Sequence, residues 1–174
     1  MTASILLTYL LQTASLIGLP DIQSVNHEEI HCLAENVYFE SRGENIRGQY
    51  AVAHVTLNRV NNGDYPDTVC KVVRQKSVVR STGKRVCAFS WVCEPRRTIK
   101  FVGRDGMINE YAVEQYNTAL VVALKVLYGD VDDVTKGATS FHNTSIPTPS
   151  WAQRMLRTVK IGNHVFYRPG KRQD

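Results

Sequence analysis

The sequence has no internal repeat, no low-complexity tract and no pair of cysteines at Cys-x-x-Cys spacing. The lack of repeats and biased tracts argues against a repeat protein or a disordered chain. The missing cysteine spacing argues against a structural zinc ribbon. What remains is a chain of 174 residues, 43% of them hydrophobic. This is enough to bury one core and form a single compact domain.

Acidic residues are almost absent from the segment 71–104, where Glu94 is the single one. The same segment contains ten of the 21 lysines and arginines, and the whole chain has a formal net charge of +5. Such a local excess of positive charge predicts a polyanionic partner. Nucleic acid, anionic lipid and the acidic bacterial envelope all fit it on charge alone.

The chain begins with an apolar run that ends at Gly18 and Pro20, and no charged residue occurs before Asp21. A secretory signal normally begins with Lys or Arg, and this run is short and rich in hydroxyl groups for a membrane span. We therefore interpret residues 1–25 as an apolar leader or anchor. Whether it is a removable export segment or a helix packed on the domain stays open, as does a transient membrane association.

The four cysteines permit three disulfide pairings, and their even number is typical of an exported protein. Cys87 and Cys93 are close enough in sequence to close a tight loop. The alternative is that all four cysteines are small buried apolar residues. The pairing stays open among Cys32, Cys70, Cys87 and Cys93.

Helical periodicity dominates the first three quarters of the chain. From Glu28 onward, apolar residues recur at i, i+3, i+4, i+7 and i+8, which predicts a helix capped by Asn26 and stopped at Arg42-Gly43. A largely apolar second helix is predicted over 46–60, a short one through Val69, Val72 and Val73, and a third long one over 110–127. The predicted buried face of that last helix consists of Val113, Tyr116, Leu120, Ala123, Leu124 and Leu127.

The last quarter of the chain has a different pattern. The segments GATSFHN and KIGNHVFYR are typical of strands, and the proline-containing loop TSIPTPSW separates them. Helices followed by a few strands predict an α+β domain that is mainly helical, with a small antiparallel sheet.

Two glutamates, Glu40 and Glu44, flank the end of the first predicted helix. Glu40 falls at the edge of the apolar face, where lost hydration disfavours the charged carboxylate and raises its pKa. Such an acid can protonate the leaving oxygen of a glycosidic bond. Glu44 is expected in a wetter, more cationic setting near Arg42. Its alternative roles are a surface ion pair with Arg42 or a helix cap.

Aromatic and polar side chains gather in predicted loops and strand ends, a mixture that suits a sugar-binding groove. Core packing is the alternative for the aromatic members. The candidates are Phe89, Trp91, Phe141, His142, Asn143 and Trp151.

The five histidines raise the question of a metal ion, and two of them stand four residues apart. We interpret them as ordinary surface or hydrogen-bonded side chains and expect no metal and no cofactor. They are His27, His31, His54, His142 and His164.

Four motifs in order resemble those of the cell wall hydrolases of the SleB and CwlJ type, the spore cortex-lytic enzymes, in the branch found in phages and Gram-negative bacteria. They are AENVYFESRGENIRGQYAVAHVTLNRV, CAFSW, GATSFHNTSIPTPSWA and KIGNHVFYR, and the resemblance runs from about residue 30 to residue 168. It implies one catalytic domain over 26–170, similar in fold to lysozyme and the lytic transglycosylases, acting on peptidoglycan glycan strands.

The resemblance also implies site residues. Glu40 of YFESRGE falls on the family's general acid, and Glu44 falls on the second glutamate of the motif, with a supporting part. His142, Asn143 and Trp151 would border the groove. Ser41 stands where alanine is more usual in the family.

These expectations describe a monomeric endolysin-like hydrolase with no specific nucleic acid partner. It would be exported to the periplasm or cell wall, or made in a host cytoplasm and released at lysis. Two alternatives remain open. One is a zinc-dependent N-acetylmuramoyl-L-alanine amidase acting on the same polymer, and the other is a non-catalytic polyanion-binding module that uses the basic segment.

Overall fold

The computed structural model describes residues 26–79, 82–95 and 97–170, so the predicted leader 1–25 lies outside the described residues. Four α-helices lie within these residues: α1 (His27–Ser41), α2 (Ile46–Val60), α3 (Val69–Val73) and α4 (Glu110–Leu127). A short 3₁₀ helix, Ser90–Cys93, lies between α3 and α4. The helix bounds predicted from periodicity are therefore confirmed to within a residue.

Each α-helix begins at a side chain that accepts a hydrogen bond from the first turn, which satisfies a backbone N–H that has no partner inside the helix. Asn26 does this for α1, Asn45 for α2, Thr68 for α3 and Asn109 for α4. The cap predicted at Asn26 is confirmed, since its side chain accepts from the N–H of Glu29 at 3.2 Å.

The strands in the described part of the chain form two antiparallel sheets. A two-stranded hairpin, β1 (Lys76–Val78) and β2 (Arg85–Cys87), lies within the basic segment. The second sheet has the order β3-β5-β4, built from β3 (Ser140–Asn143), β4 (Met155–Ile161) and β5 (His164–Pro169). A second 3₁₀ helix, Ser150–Arg154, leads into β4.

The segment KIGNHVFYR was predicted to be one strand, and this is wrong. It contains the turn of a hairpin and parts of both of its strands. Ile161 ends β4 and His164 begins β5. Gly162 sits in the turn with a φ of +54°, a left-handed conformation that favours glycine.

Helix α2 lies between two parts of the core. A helical cluster draws on α1, α3 and α4, with Leu33, Val37, Val72 and Val122 fully buried. A second cluster joins α2 to the sheet: Ala51, Val55, Ala138, Ile161 and Phe166. The sheet is thereby fixed against the helix that follows the Glu40 turn.

The buried face of α4 differs from the predicted one. Its buried residues are Ala112, Ala119, Val122, Ala123 and Val126, whereas Leu124 is 38% exposed. The reason is that α4 contacts α1 closely, and small alanines allow that approach better than large side chains do. Tyr116, Leu120 and Leu127 pack at the edge of the same cluster.

All four cysteines are paired, so the alternative of free buried cysteines is wrong. Cys32–Cys70 joins α1 to α3, and Cys87–Cys93 closes the loop from β2 to the first 3₁₀ helix. The architecture confirms the predicted α+β domain, mainly helical with small antiparallel sheets. None of the helices in the described ranges has both the length and the apolar character needed to cross a membrane.

Candidate active site

A cavity of about 340 Å³ lies where the end of α1 meets the Cys87–Cys93 loop and the β3-β5-β4 sheet. Its size falls in the range of small-molecule sites. Among the described residues that line it, Glu40 is the one carboxylic acid. The complete lining is Glu40, Arg59, Cys87, Ala88, Phe89, Ser90, Phe141, His142, Asn143, Ile146, Pro149, Trp151 and His164.

Glu40 lies in the last turn of α1 and is largely buried. Burial raises its pKa to about 7, against the opposing effect of the positive charges of Arg59 and Arg97, while Glu94 raises it further. The C-terminal end of a helix carries partial negative charge, which also disfavours a carboxylate there. Near neutral pH this side chain can therefore hold a proton ready to donate, as the sequence predicted.

Arg59 is the buried cation of the site, and it was not among the residues predicted from sequence. Only 8% of it is exposed, and its Nε–H donates to the backbone oxygen of Thr139 at 2.7 Å. Its guanidinium group lies 4.7 Å from the centre of the Phe89 ring, and its Nη1 is buried without a partner among the described residues. The sequence shows only an arginine near the C-terminal end of the largely apolar helix α2, which does not distinguish a buried cation from an exposed one.

The environment of Glu44 differs from the expected one. Its side chain is 8% exposed, so the prediction of a wetter setting is wrong. Oε2 accepts from the backbone N–H of Asn163 at 3.1 Å, and Oε1 accepts from the side-chain amide of Asn163 at 3.0 Å. No ion pair with Arg42 forms in the described part of the chain, because Arg42 instead lies over the Tyr38 ring.

Glu44 does not line the cavity; it contacts a residue that does. Its Oε1 is 3.9 Å from Nδ1 of His164, and His164 is part of the cavity wall. The hairpin turn carrying Asn163 and His164 is thus fastened to the start of α2. The physical reason is that a buried carboxylate needs hydrogen-bond donors, and the turn supplies two.

Five of the six candidate groove residues line the cavity together with Glu40: Phe89, Phe141, His142, Asn143 and Trp151. The His142 ring stacks on Tyr167 with centroids 5.5 Å apart and meets Trp151 edge-on at 6.2 Å. Aromatic faces next to amide and imidazole groups can contact both the faces and the hydroxyls of a sugar.

Trp91 is not among the residues that line this cavity. Its indole N–H donates to Oδ1 of buried Asn36 at 2.9 Å, and its ring stacks on Phe39 with centroids 4.5 Å apart. Asn36 in turn donates to Thr56 on α2. Because a buried indole N–H requires an acceptor, Trp91 joins the first 3₁₀ helix to α1 and α2.

His142 and His164 present two buried imidazoles to the cavity. Nδ1 of each is buried without a hydrogen-bond partner in the described part of the chain. Burial lowers the pKa of His164, Glu44 raises it, and His142 lowers it. A neutral imidazole can both donate and accept a hydrogen bond. His164 was counted in the sequence among ordinary histidines, and no local pattern distinguished it.

The string His27-Glu28-Glu29-Ile30-His31 fits the His-Glu-x-x-His pattern of helical zinc sites. Its side chains have other partners, since Glu29 accepts from the N–H of Val69 and His31 contacts the Tyr116 hydroxyl at 2.9 Å. Within the described ranges, no three His, Cys, Asp or Glu side chains are grouped so as to hold a metal ion.

Residues 43–167 match the family model described as Cell Wall Hydrolase. The match begins three residues after Glu40. Among curated proteins, the chain is 31% identical to a spore cortex-lytic enzyme of Halalkalibacterium halodurans over 138 residues, which is 79% of this chain and 34% of the relative. It is also 31% identical to the spore cortex-lytic enzyme of Bacillus cereus over 143 residues, 81% of this chain and 44% of the relative. The chain therefore spans less than half the length of these two relatives.

Two solved structures share the fold. One is the catalytic domain of the Bacillus cereus SleB protein, with a TM-score of 0.54 and 29% identity over 83% of this chain and 93% of that one. The other is the catalytic domain of the germination-specific lytic transglycosylase SleB of Bacillus anthracis, with the same TM-score and identity, covering 83% of this chain and 98% of that one.

Proposed function

The chain belongs to the cell wall hydrolase family, and from that premise we propose that it cleaves the glycan strand of peptidoglycan as a lytic transglycosylase, with Glu40 as general acid. The observation that carries this proposal is Glu40, the one carboxylic acid among the described residues of the cavity, whose burial raises its pKa to about 7. It is supported by the catalytic domain from Bacillus anthracis, which is described as a lytic transglycosylase.

The proposed reaction uses one acid twice. Glu40 donates its proton to the glycosidic oxygen while the bond from that oxygen to C1 of the muramoyl sugar breaks. The N-acetyl carbonyl oxygen of the same sugar stabilises C1 as an internal nucleophile. The Glu40 carboxylate then accepts the proton of the C6 hydroxyl as O6 attacks C1. The product is a 1,6-anhydro sugar, and no water is consumed.

The buried cation beside Glu40 suits the charged stage of this sequence. Once Glu40 has donated its proton, its carboxylate is stabilised by the positive charge of Arg59. Arg59 is held in place by Thr139 and by the Phe89 ring, so it does not have to reorganise during the reaction.

We assign Glu44 a positioning role. Its carboxylate holds the turn that carries Asn163 and His164, so it shapes one wall of the cavity. This corresponds to the supporting part that the family motif implies for the second glutamate. Phe89, His142, Asn143 and Trp151 then bind the sugar in the same cavity.

Action on peptidoglycan places the working enzyme outside the cytoplasm, at the periplasm or cell wall. Two disulfides are consistent with that compartment. Within this proposal, an endolysin that reaches the wall by export or by release at lysis is the role that fits best.

The test is digestion of purified sacculi, with products identified by mass spectrometry. Anhydromuropeptides are expected, and they should form equally with and without EDTA. Muropeptides with reducing ends would instead show that the glycosidic bond is hydrolysed and not transglycosylated. Free stem peptides that disappear with EDTA would favour the zinc amidase. Undigested sacculi together with salt-dependent DNA binding would favour the polyanion-binding module and overturn the enzymatic proposal.

A further inference from the structure

A second cavity, of about 400 Å³, lies beside the last turn of α1. We call it the basic cleft, and its charged lining consists of Arg42, Arg97, Lys100 and Glu94, beside the rings of Tyr38 and Phe39. Three basic groups face one acid, so the cleft keeps an excess of positive charge. Arg42 and Lys100 have no part in the proposed acid chemistry.

Two of the cations are held by aromatic rings. The Arg42 guanidinium lies 4.9 Å from the centre of the Tyr38 ring, and that of Arg97 lies 5.4 Å from the centre of the Phe39 ring. Arg97 is also paired with Glu94. Stacking on a ring restricts a guanidinium without using its N–H donors. These groups are therefore partly preorganised to bind a carboxylate, which guanidinium groups bind in a bidentate manner.

The basic cleft is adjacent to the catalytic cavity. Phe39 lines the cleft and its neighbour Glu40 lines the cavity. The charges of Arg97 and Glu94 also act on Glu40. A ligand extended across the last turn of α1 would therefore contact both cavities at once.

We propose that the basic cleft binds the carboxylates of the short peptides attached to the muramoyl sugars of the substrate, so that strands bearing peptides bind better than bare strands. This inference rests on the proposed function. Peptidoglycan fits it chemically, because each lactyl group that carries a peptide is a neutral amide, so the free carboxylates belong to the stem peptides. The cations of the cleft would add little to the binding of an uncharged glycan.

The experiment uses soluble, uncrosslinked glycan strands in two forms: with stem peptides, and as bare strands, from which the peptides have been removed enzymatically and the lactyl carboxylates so exposed have been amidated. Equilibrium binding is measured by fluorescence anisotropy of end-labelled strands, and turnover is followed separately as KM and kcat. The full chain is compared with the double variant Arg42→Gln/Lys100→Gln. Lys125→Gln removes a solvent-exposed charge of the same sign on α4 and is the matched control.

The unaltered chain and Lys125→Gln should bind peptide-bearing strands roughly three- to tenfold more tightly than bare strands, the range expected for two partly exposed charge contacts. The double variant should lose this preference, with KM rising for peptide-bearing strands only and kcat unchanged. Added salt should reduce the preference as well.

Equal binding of both strand types by the unaltered chain would overturn the inference, and so would a preference that survives in the double variant. The outcome for the proposed function is read separately. Failure to cleave either strand would overturn the glycosidase proposal, while a peptide preference in binding would still support the basic cleft as a carboxylate site.

Discussion

The carboxylate of Glu44 accepts two hydrogen bonds from Asn163, a residue 119 positions later in the chain. The turn can approach this closely because residue 162 is glycine. A Cβ at that position would overlap Oε2 of Glu44. The carboxylate of Glu44 therefore occupies the space that a side chain at residue 162 would need.

Replacing Gly162 by alanine should destabilise the protein by about 2–4 kcal/mol, because it adds steric overlap with Glu44 to the strain of a left-handed alanine. Gly129→Ala is the control, since Gly129 has a φ of +77° but a Cβ there would meet nothing within 4 Å. It should cost only about 1 kcal/mol. Chemical denaturation measures both values. In a double-mutant cycle with Glu44→Ala, the two changes should be non-additive, and strict additivity would contradict the contact.

Glu40→Gln should reduce glycan cleavage by at least about a hundredfold, because an amide keeps the shape of the side chain but has no acidic proton to give. The fold should survive, since the neutral amide resembles the protonated acid. Glu114→Gln, an exposed site on α4, should retain full activity. Anhydromuropeptide release and far-UV circular dichroism check the two halves of this prediction. Cleavage at the unaltered rate in Glu40→Gln would exclude Glu40 as the acid.

The cleavage rate should fall by about tenfold per pH unit above pH 7, because only the protonated form of Glu40 can donate a proton.

The free energy of unfolding should also depend on the protonation of Glu40. The pKa of Glu40 is about 7 in the folded protein against an ordinary value of 4.5, so the folded state binds the proton more tightly. The stability that comes from this tighter proton binding is about 3 kcal/mol. It is fully present below pH 4.5 and is lost as the pH rises to 7.

The matched comparison for this pH effect is Glu40→Gln, which has no proton to lose at that position. Free energies of unfolding of the two proteins should therefore diverge between pH 4.5 and 7 and run parallel above that range. Parallel curves over the whole range would show that the carboxyl has its ordinary pKa in the folded protein.

The two disulfides should contribute differently. Cys32–Cys70 spans 38 residues and Cys87–Cys93 spans six. Loop-closure entropy predicts losses of about 4 and about 2 kcal/mol for the paired Cys→Ser variants, respectively. Activity should show the reverse order at a temperature where both variants are folded, because Cys87 lines the catalytic cavity and Cys32 does not. Thermal unfolding and initial cleavage rates make this comparison.

Much of the fold was predictable because it depends on residues that are close together in the sequence. The apolar spacing after Glu28 and the cap at Asn26 specify α1 almost to the residue. The buried face of α4 could not be predicted from the sequence, because Ala119 and Leu124 both fit an apolar helical stripe. Only the partner helix decides which of the two is buried.

The site was predictable where a residue's own neighbourhood determines its chemistry. Burial raises the pKa of Glu40, and the sequence indicates that burial because Glu40 lies at the edge of the apolar face of an amphipathic helix. Arg59 depends on Thr139, 80 residues away, and Trp91 depends on Asn36, 55 residues away. No periodicity reports such pairings, so the buried cation was missed and Trp91 was assigned to the groove.

The six-residue span closed by Cys87 and Cys93 contains Phe89 and Trp91, two side chains after which chymotrypsin-like proteases cut. A single cut there would leave both halves of the molecule covalently joined. Such nicked protein would migrate as one species on a denaturing gel and separate into two fragments only after a reductant is added.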